Sequence, residues 1–212
     1  MPRIELPAIT SVRGKYVAGA LTVLLSALLY IVPNRWQVVP PEYLTPTSLD
    51  SAVPFWPASG LVYLSIYLFI PATFVALRDF AVVSRFVYAC LFAQLIAAVC
   101  FVVWPTAYPR GLYLVPTASP LGAALVDIVR SMDTPANCLP SLHVSSVVLC
   151  AVALRADRGT RLGFLLAVPL AFSTLTFKQH YFVDVLAGLA LGLLAGLLFF
   201  RWPRLALRPL AV

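Results

Sequence analysis

Residues 178–200 read KQHYFVDVLAGLALGLLAGLLFF, and this stretch decides the class of fold. From Tyr181 to Phe200 its only charged residue is Asp184, and the run has the length of about 20 residues that a helix needs to cross the hydrocarbon of a bilayer. Gly188, Gly192 and Gly196 follow Asp184 at intervals of four. Such a small-residue stripe lets one membrane helix approach another closely. Just ahead of the run stand Lys178 and His180, the latter one of only two histidines in the chain. Residues four apart on a helix share a face, so Asp184 can reach one ring nitrogen of His180, fix its tautomer and leave the other nitrogen free to attack.

The remainder of the chain agrees with a bilayer environment. A sequence of 212 residues that is 61% hydrophobic and 11% charged has too little charge to coat one soluble globule. Apolar runs of roughly membrane length occur at about 16–33, 59–77, 85–104, 141–155, 161–177 and 181–200. The fold expected is therefore all-α: one polytopic domain over residues 1–212 with six transmembrane helices. No cleavage site of the small-x-small kind follows the first run, and Pro33-Asn34-Arg35-Trp36 reads as an interfacial exit, so we expect that helix to be retained.

Basic residues sort by alternate loops. Arg3, Arg13, Lys15, Arg78, Arg85, Arg155, Arg158, Arg161, Arg201, Arg204 and Arg208 fall on one side, eleven in all, against four on the other, Arg35, Arg110, Arg130 and Lys178. The positive-inside rule then makes both termini cytoplasmic and turns both histidines to the extracytoplasmic face. The formal charge of +7 is accounted for by cations at helix ends, which set topology and meet anionic membrane lipids. No basic stripe points to a nucleic-acid partner. Cys90, Cys100 and Cys150 fall in apolar runs as small hydrophobes, and Cys138 stands alone in an outer loop, so neither a disulfide framework nor a metal site follows.

Polar residues converge at the outer ends of three elements. Pro140-Ser141-Leu142-His143 opens the fourth run, Lys178 and His180 precede the sixth, and Arg110 follows the third. Titratable groups at the rim of an apolar bundle are costly unless paired or facing a polar cavity, and are functional candidates by default. Ser141 serves equally as a helix N-cap and, with the free N–H groups after it, as an anion-binding turn. The Arg110 fork and the Lys178 ammonium suit a phosphate, and they equally suit lipid headgroups. Asp127, Arg130 and Asp133 belong to a long connection whose amphipathic stretch, about 120–132, is expected to rest on the membrane surface with these charges in water.

Pro140-Ser141-Leu142-His143 resembles the second signature of the type-2 phosphatidic-acid phosphatase superfamily, P-S-G-H, with Leu142 in place of glycine. His180 with Asp184 resembles the third signature, S-R-x5-H-x3-D. Two positions depart from the pattern: Thr174 follows Ser173 where the third signature has arginine, and of the first signature, K-x6-R-P, only Arg110 survives, with Val103 and Gly111 replacing its lysine and proline. A P-S-L-H turn with H-Y-F-V-D and no preceding arginine is more similar to the branch containing fungal inositol-phosphorylceramide synthase and, more distantly, sphingomyelin synthase. The resemblance covers a catalytic core of about residues 45–200.

What the resemblance implies is phosphoryl transfer through histidine. His180 would be the nucleophile, Asp184 would orient it, and His143 would act as general acid and then base. Ser141, Arg110 and Lys178, taking the place of the missing arginine, would bind phosphate. No cofactor or metal is expected, since the sequence has no carboxylate cluster suited to magnesium. A lipid phosphatase acting on a phosphomonoester or diphosphate, in the plasma or inner membrane, is the first expectation. A headgroup transferase uses the same chemistry up to the acceptor, and a non-enzymatic transporter or assembly subunit is the remaining class. Oligomeric state is open, because the glycine stripe serves packing within a bundle or between two.

Overall fold

A computed structural model of the chain describes residues 4–115, 119–132 and 134–209; Arg3 and Asp133, named above, lie outside the described residues. The chain is mostly helical, with eight α-helices among those residues. β1 (Ile4–Ala8) leads into α1 (Val12–Arg35); β2 (Glu42–Tyr43), α2 (Ser48–Ala52) and a 3₁₀ turn at Pro57–Ser59 lead to α3 (Gly60–Ala76). Then come α4 (Phe80–Val103), β3 (Thr106–Ala107), a second 3₁₀ turn at Arg110–Leu112, α5 (Pro120–Met132), α6 (Leu142–Arg158), α7 (Leu162–Thr176), α8 (Phe182–Phe200) and β4 (Leu205–Pro209). Every apolar run read from the sequence is one of the helices α1, α3, α4, α6, α7 or α8.

Among the described residues, four helical stretches are long and apolar enough to cross a membrane: Val12–Arg35, Pro57–Ala76, Phe80–Val103 and Phe182–Phe200. α7 is apolar, but its 15 residues extend only about 22 Å at the helical rise. α6 carries Ser145, Ser146, Asp157 and two arginines, and it packs on α3, α4, α7 and α8. A helix so covered by protein does not need the uniformly apolar surface that lipid demands.

Two short parallel strand pairs depart from a purely helical fold. β1 lies beside β4, with Ile4 opposite Leu205 and Ala8 opposite Pro209, and Glu42-Tyr43 lies beside Thr106-Ala107. Neither has a sequence signal, since two of these strands are two residues long and the other two contain proline. β1 with β4 brings both ends of the described chain to the end of the bundle opposite the histidines. There the basic residues cap helices. The Lys15 ammonium donates to the carbonyls of Val75 (3.0 Å) and Leu77 (2.6 Å), Arg158 donates to Ala76 O, and Arg85 reaches Phe199 O at 2.5 Å. These satisfy carbonyls that a helix C-terminus leaves without intrahelical donors and complement its negative dipole.

α5 is the amphipathic segment expected over 120–132; protein covers part of its apolar side, while Leu121 and Ile128 stay exposed. Leu125, Val126 and Val129 join Tyr63, Ile66, Val147 and Phe177 in one buried cluster. Arg130, exposed as expected, also donates to the carbonyls of Arg110 (2.6 Å) and Tyr113 (3.2 Å) and so ties down the turn that carries Arg110.

The glycine stripe of α8 meets α6. A Cβ on Gly188 would stand 2.4 Å from the Ser141 carbonyl oxygen, and one on Gly192 would stand 2.9 Å from that of Ser145. At Gly196 the nearest atom is a Val152 methyl at 3.4 Å, an ordinary contact. Gly188→Ala should therefore push α8 off the backbone that bears Ser141 and destabilise by about 1–3 kcal/mol, while Gly196→Ala is tolerated. Thermal unfolding of both variants in detergent checks the contrast, and equal stability would contradict this packing.

Candidate active site

Capping chemistry builds the site before any catalytic role is considered. Ser141 precedes α6 in extended conformation, and its Oγ accepts from Val144 N at 3.4 Å, so the cap read from the sequence is made. Its own N–H donates to the Asp184 carbonyl at 3.0 Å, tying the start of α6 to the first turn of α8. His143 follows one residue into α6. His180 lies in the turn between α7 and α8, where Gln179 N and His180 N both donate to the Thr174 carbonyl (2.9 and 3.3 Å). Lys178 in that turn has a φ of 55°, a left-handed conformation that costs a non-glycine residue about 1 kcal/mol; such backbone strain concentrates at functional sites.

The pairing of His180 with Asp184 is made, by a route different from the expected helical face. α8 begins at Phe182, so His180 lies outside the helix. Asp184, third in α8, turns back in a capping box: its Oδ2 accepts from Tyr181 N at 2.9 Å and stands 3.3 Å from His180 Nδ1. The other ring nitrogen, Nε2, stands 3.3 Å from His143 Nδ1. With the carboxylate as acceptor, the network assigns a proton to His180 Nδ1 and leaves Nε2 with its lone pair toward His143. His180 and Asp184 are 6% and 0% exposed, so this pair operates out of water.

Two tyrosines complete the site. The hydroxyls of Tyr63 and Tyr67, one turn apart on α3, each stand 3.1 Å from His143 Nε2. In sequence they read as core aromatics of an apolar run; only the packing of α3 on α6 gives them a polar partner. A hydroxyl accepts as readily as it donates, so the pair supports His143 with Nε2 bare or protonated.

The cationic candidates lie at the same end. Arg110 is buried, and its charge acts on His143. Lys178 is also buried, and its Nζ donates to the carbonyls of Asp50 (3.0 Å) and Val53 (2.5 Å) beneath the Tyr113 ring. Burial pulls its pKa down, and the Asp50 charge partly offsets this. Asp50, which the sequence reading passed over, links three elements. Its Oδ2 accepts from Thr47 N (2.7 Å) and Thr47 Oγ1 (2.6 Å) in the box that caps α2, and its Oδ1 accepts from Phe182 N at 2.6 Å. Burial alone would raise its carboxyl; the bonds from Thr47 and Phe182 and the Lys178 charge outweigh that and hold it below the usual range. Thr47-Ser48-Leu49-Asp50 was the available signal.

The crevice beside His180, lined by Leu49, Asp50, Val53, Tyr108, Lys178 and Phe182, is too narrow to admit a water molecule. Cys138 also comes into the site. Its Sγ, a ring nitrogen of His180 and a carboxylate oxygen of Asp184 all lie within 4.8 Å of one another.

Paired histidines backed by a carboxylate thus stand at one end of a bundle with membrane-length helices. The family model of the PAP2 superfamily matches residues 57–198, and the chain belongs to that superfamily. No curated protein matches it. The matched range holds all six candidates, Arg110, Ser141, His143, Lys178, His180 and Asp184.

Proposed function

We propose that the chain is an integral-membrane lipid phosphatase that hydrolyses a lipid phosphomonoester or diphosphate through a phosphohistidine on His180. The observation that carries this reading is the line of Asp184 Oδ2, the His180 ring and His143 Nδ1, each contact 3.3 Å. The alternation of the six apolar helices and the crowding of basic residues at the end opposite the histidines support six spans, cytoplasmic termini and an extracytoplasmic site.

A phosphate enters between the two histidines, which must part to admit it, and the segment holding α2 must lift from His180. His180 Nε2 attacks phosphorus and the bond to the lipid oxygen breaks. Asp184 keeps the Nδ1 proton and stabilises the positive charge that the ring acquires. As general acid, His143 carries protons on both nitrogens; it gives the Nδ1 proton to the departing oxygen and keeps Nε2–H donated to a tyrosine hydroxyl. The same Nδ1 then takes a proton from water as that water displaces His180 from phosphorus. Arg110 and the N–H groups that follow Ser141 in the first turn of α6 hold the non-bridging oxygens. Lys178 joins them when the 47–53 segment moves, because its ammonium is otherwise spent on two carbonyls of that segment.

Purified protein in detergent with EDTA should release inorganic phosphate from phosphatidate, a lysolipid phosphate or an isoprenoid diphosphate. No release from any of the three would overturn hydrolysis. Tyr63→Phe combined with Tyr67→Phe should lower turnover of a lipid phosphate by about 10-fold or more, and lower it much less with a phosphate ester whose leaving group needs no proton. Equal losses on both substrates would mean that the tyrosines do not serve the acid.

A further inference from the structure

We propose that Cys138, His180 and Asp184 form a binding site for a zinc-like divalent cation, and that occupancy of this site shuts the reaction off. The binding stands on the geometry alone; the inhibition rests on His180 being the nucleophile proposed above.

The three side chains come from two elements separated in sequence, and they bring the donor set that a borderline-soft dication selects: thiolate sulfur, imidazole nitrogen and carboxylate oxygen. Their donor atoms lie within 4.8 Å of one another, against about 3.5 Å in a tetrahedral zinc site, so side-chain movements of about 1 Å complete it. Cys138, His180 and Asp184 are 1%, 6% and 0% exposed. In so dry a place a dication with one thiolate, one carboxylate and a neutral imidazole sums to zero charge, which removes the main obstacle to burying it.

A second observation points to a ligand. Asp184 Oδ2 is engaged by Tyr181 N and His180, but Oδ1 of this fully buried carboxylate has no hydrogen-bond partner among the described residues. Buried polar atoms are paired in the great majority of cases, so each exception needs an explanation. The cysteine is also held in place. Cys138 N donates to Thr106 O at 3.2 Å, Leu139 N donates to Thr106 Oγ1 at 2.9 Å, and Tyr108 and Tyr181 pack against the side chain. The Gln179 carbonyl oxygen, 3.8 Å from Sγ, is available for the fourth position.

On binding, the Cys138 thiol loses its proton to solvent, and the cation takes the Nδ1 edge of His180 in place of the hydrogen bond to Asp184. The ring proton then resides on Nε2. The lone pair that would attack phosphorus is thereby consumed without any change in oxidation state, and removal of the metal restores it.

Cobalt(II), added to the purified wild-type protein, reads the site without reference to turnover. A thiolate-to-cobalt absorption band that saturates at one cobalt per chain and disappears on adding zinc is expected. Cys138→Ala and the near-isosteric Cys138→Ser should both lack it. Absence of the band in the wild type, or its persistence in either variant, overturns the site. In the phosphate-release assay, zinc should inhibit the wild type and EDTA should reverse the inhibition. Cys138→Ser should turn over normally without metal and need at least ten times more zinc for half-inhibition; equal sensitivity overturns the inhibitory role. A wild type that shows the cobalt band yet hydrolyses no lipid phosphate would sink the proposed function and leave the metal site standing.

Discussion

His180→Ala is expected to lower lipid phosphate turnover by on the order of 10⁴-fold or more, the scale of losing a nucleophile, with helix content and thermal unfolding close to wild type. The fold should survive because the capping bond from Tyr181 N to Asp184 Oδ2 does not involve the imidazole, and the turn itself hangs on backbone bonds to the Thr174 carbonyl. Steady-state phosphate release and circular dichroism on the same preparation check both halves. Wild-type-like turnover would remove His180 from the chemistry.

Asp184→Asn should also leave a folded protein, and lose about 10²–10⁴-fold in turnover. Asparagine keeps an oxygen for Tyr181 N, so α8 stays capped. Because that same position also faces His180 Nδ1, the replacement offers the ring a neutral acceptor in place of a carboxylate and holds the Nδ1 proton less firmly. It also removes the negative charge that would stabilise the ring once Nε2 is bonded to phosphorus. The loss should therefore fall on kcat with little change in KM. Unchanged kinetics would show that the contact between His180 and Asp184 is not used.

The parts of this molecule legible in its sequence are those with one-dimensional signals. Six apolar runs gave six helices because their period and length are local properties. The motifs at His143 and His180 were readable because both lie at helix starts. The pairing of His180 with Asp184 was expected from helical spacing and is made instead across a cap, which lets Asp184 begin α8 and orient the histidine at once. Contacts fixed by tertiary packing carried no such mark. Tyr63 and Tyr67 look like two more aromatics in an apolar run, and only the seating of α3 against α6 turns them to His143. Cys138 is isolated in sequence and meets His180 and Asp184 only because the turn before α6 is tied to Thr106 and the start of α6 to α8. Second roles of charged residues carried no mark either: Arg130, exposed as expected, also holds the Arg110 turn, and Lys15, Arg85 and Arg158 cap helix ends opposite the site.

The most direct test of a phosphohistidine on His180 uses the His143→Ala variant, which lacks the base needed to resolve it, with a radiolabelled phosphate ester whose leaving group needs no acid. After quenching in alkali, the account predicts an acid-labile, alkali-stable label on the peptide containing His180, lost when His180 is also replaced. Label on any other residue would contradict it.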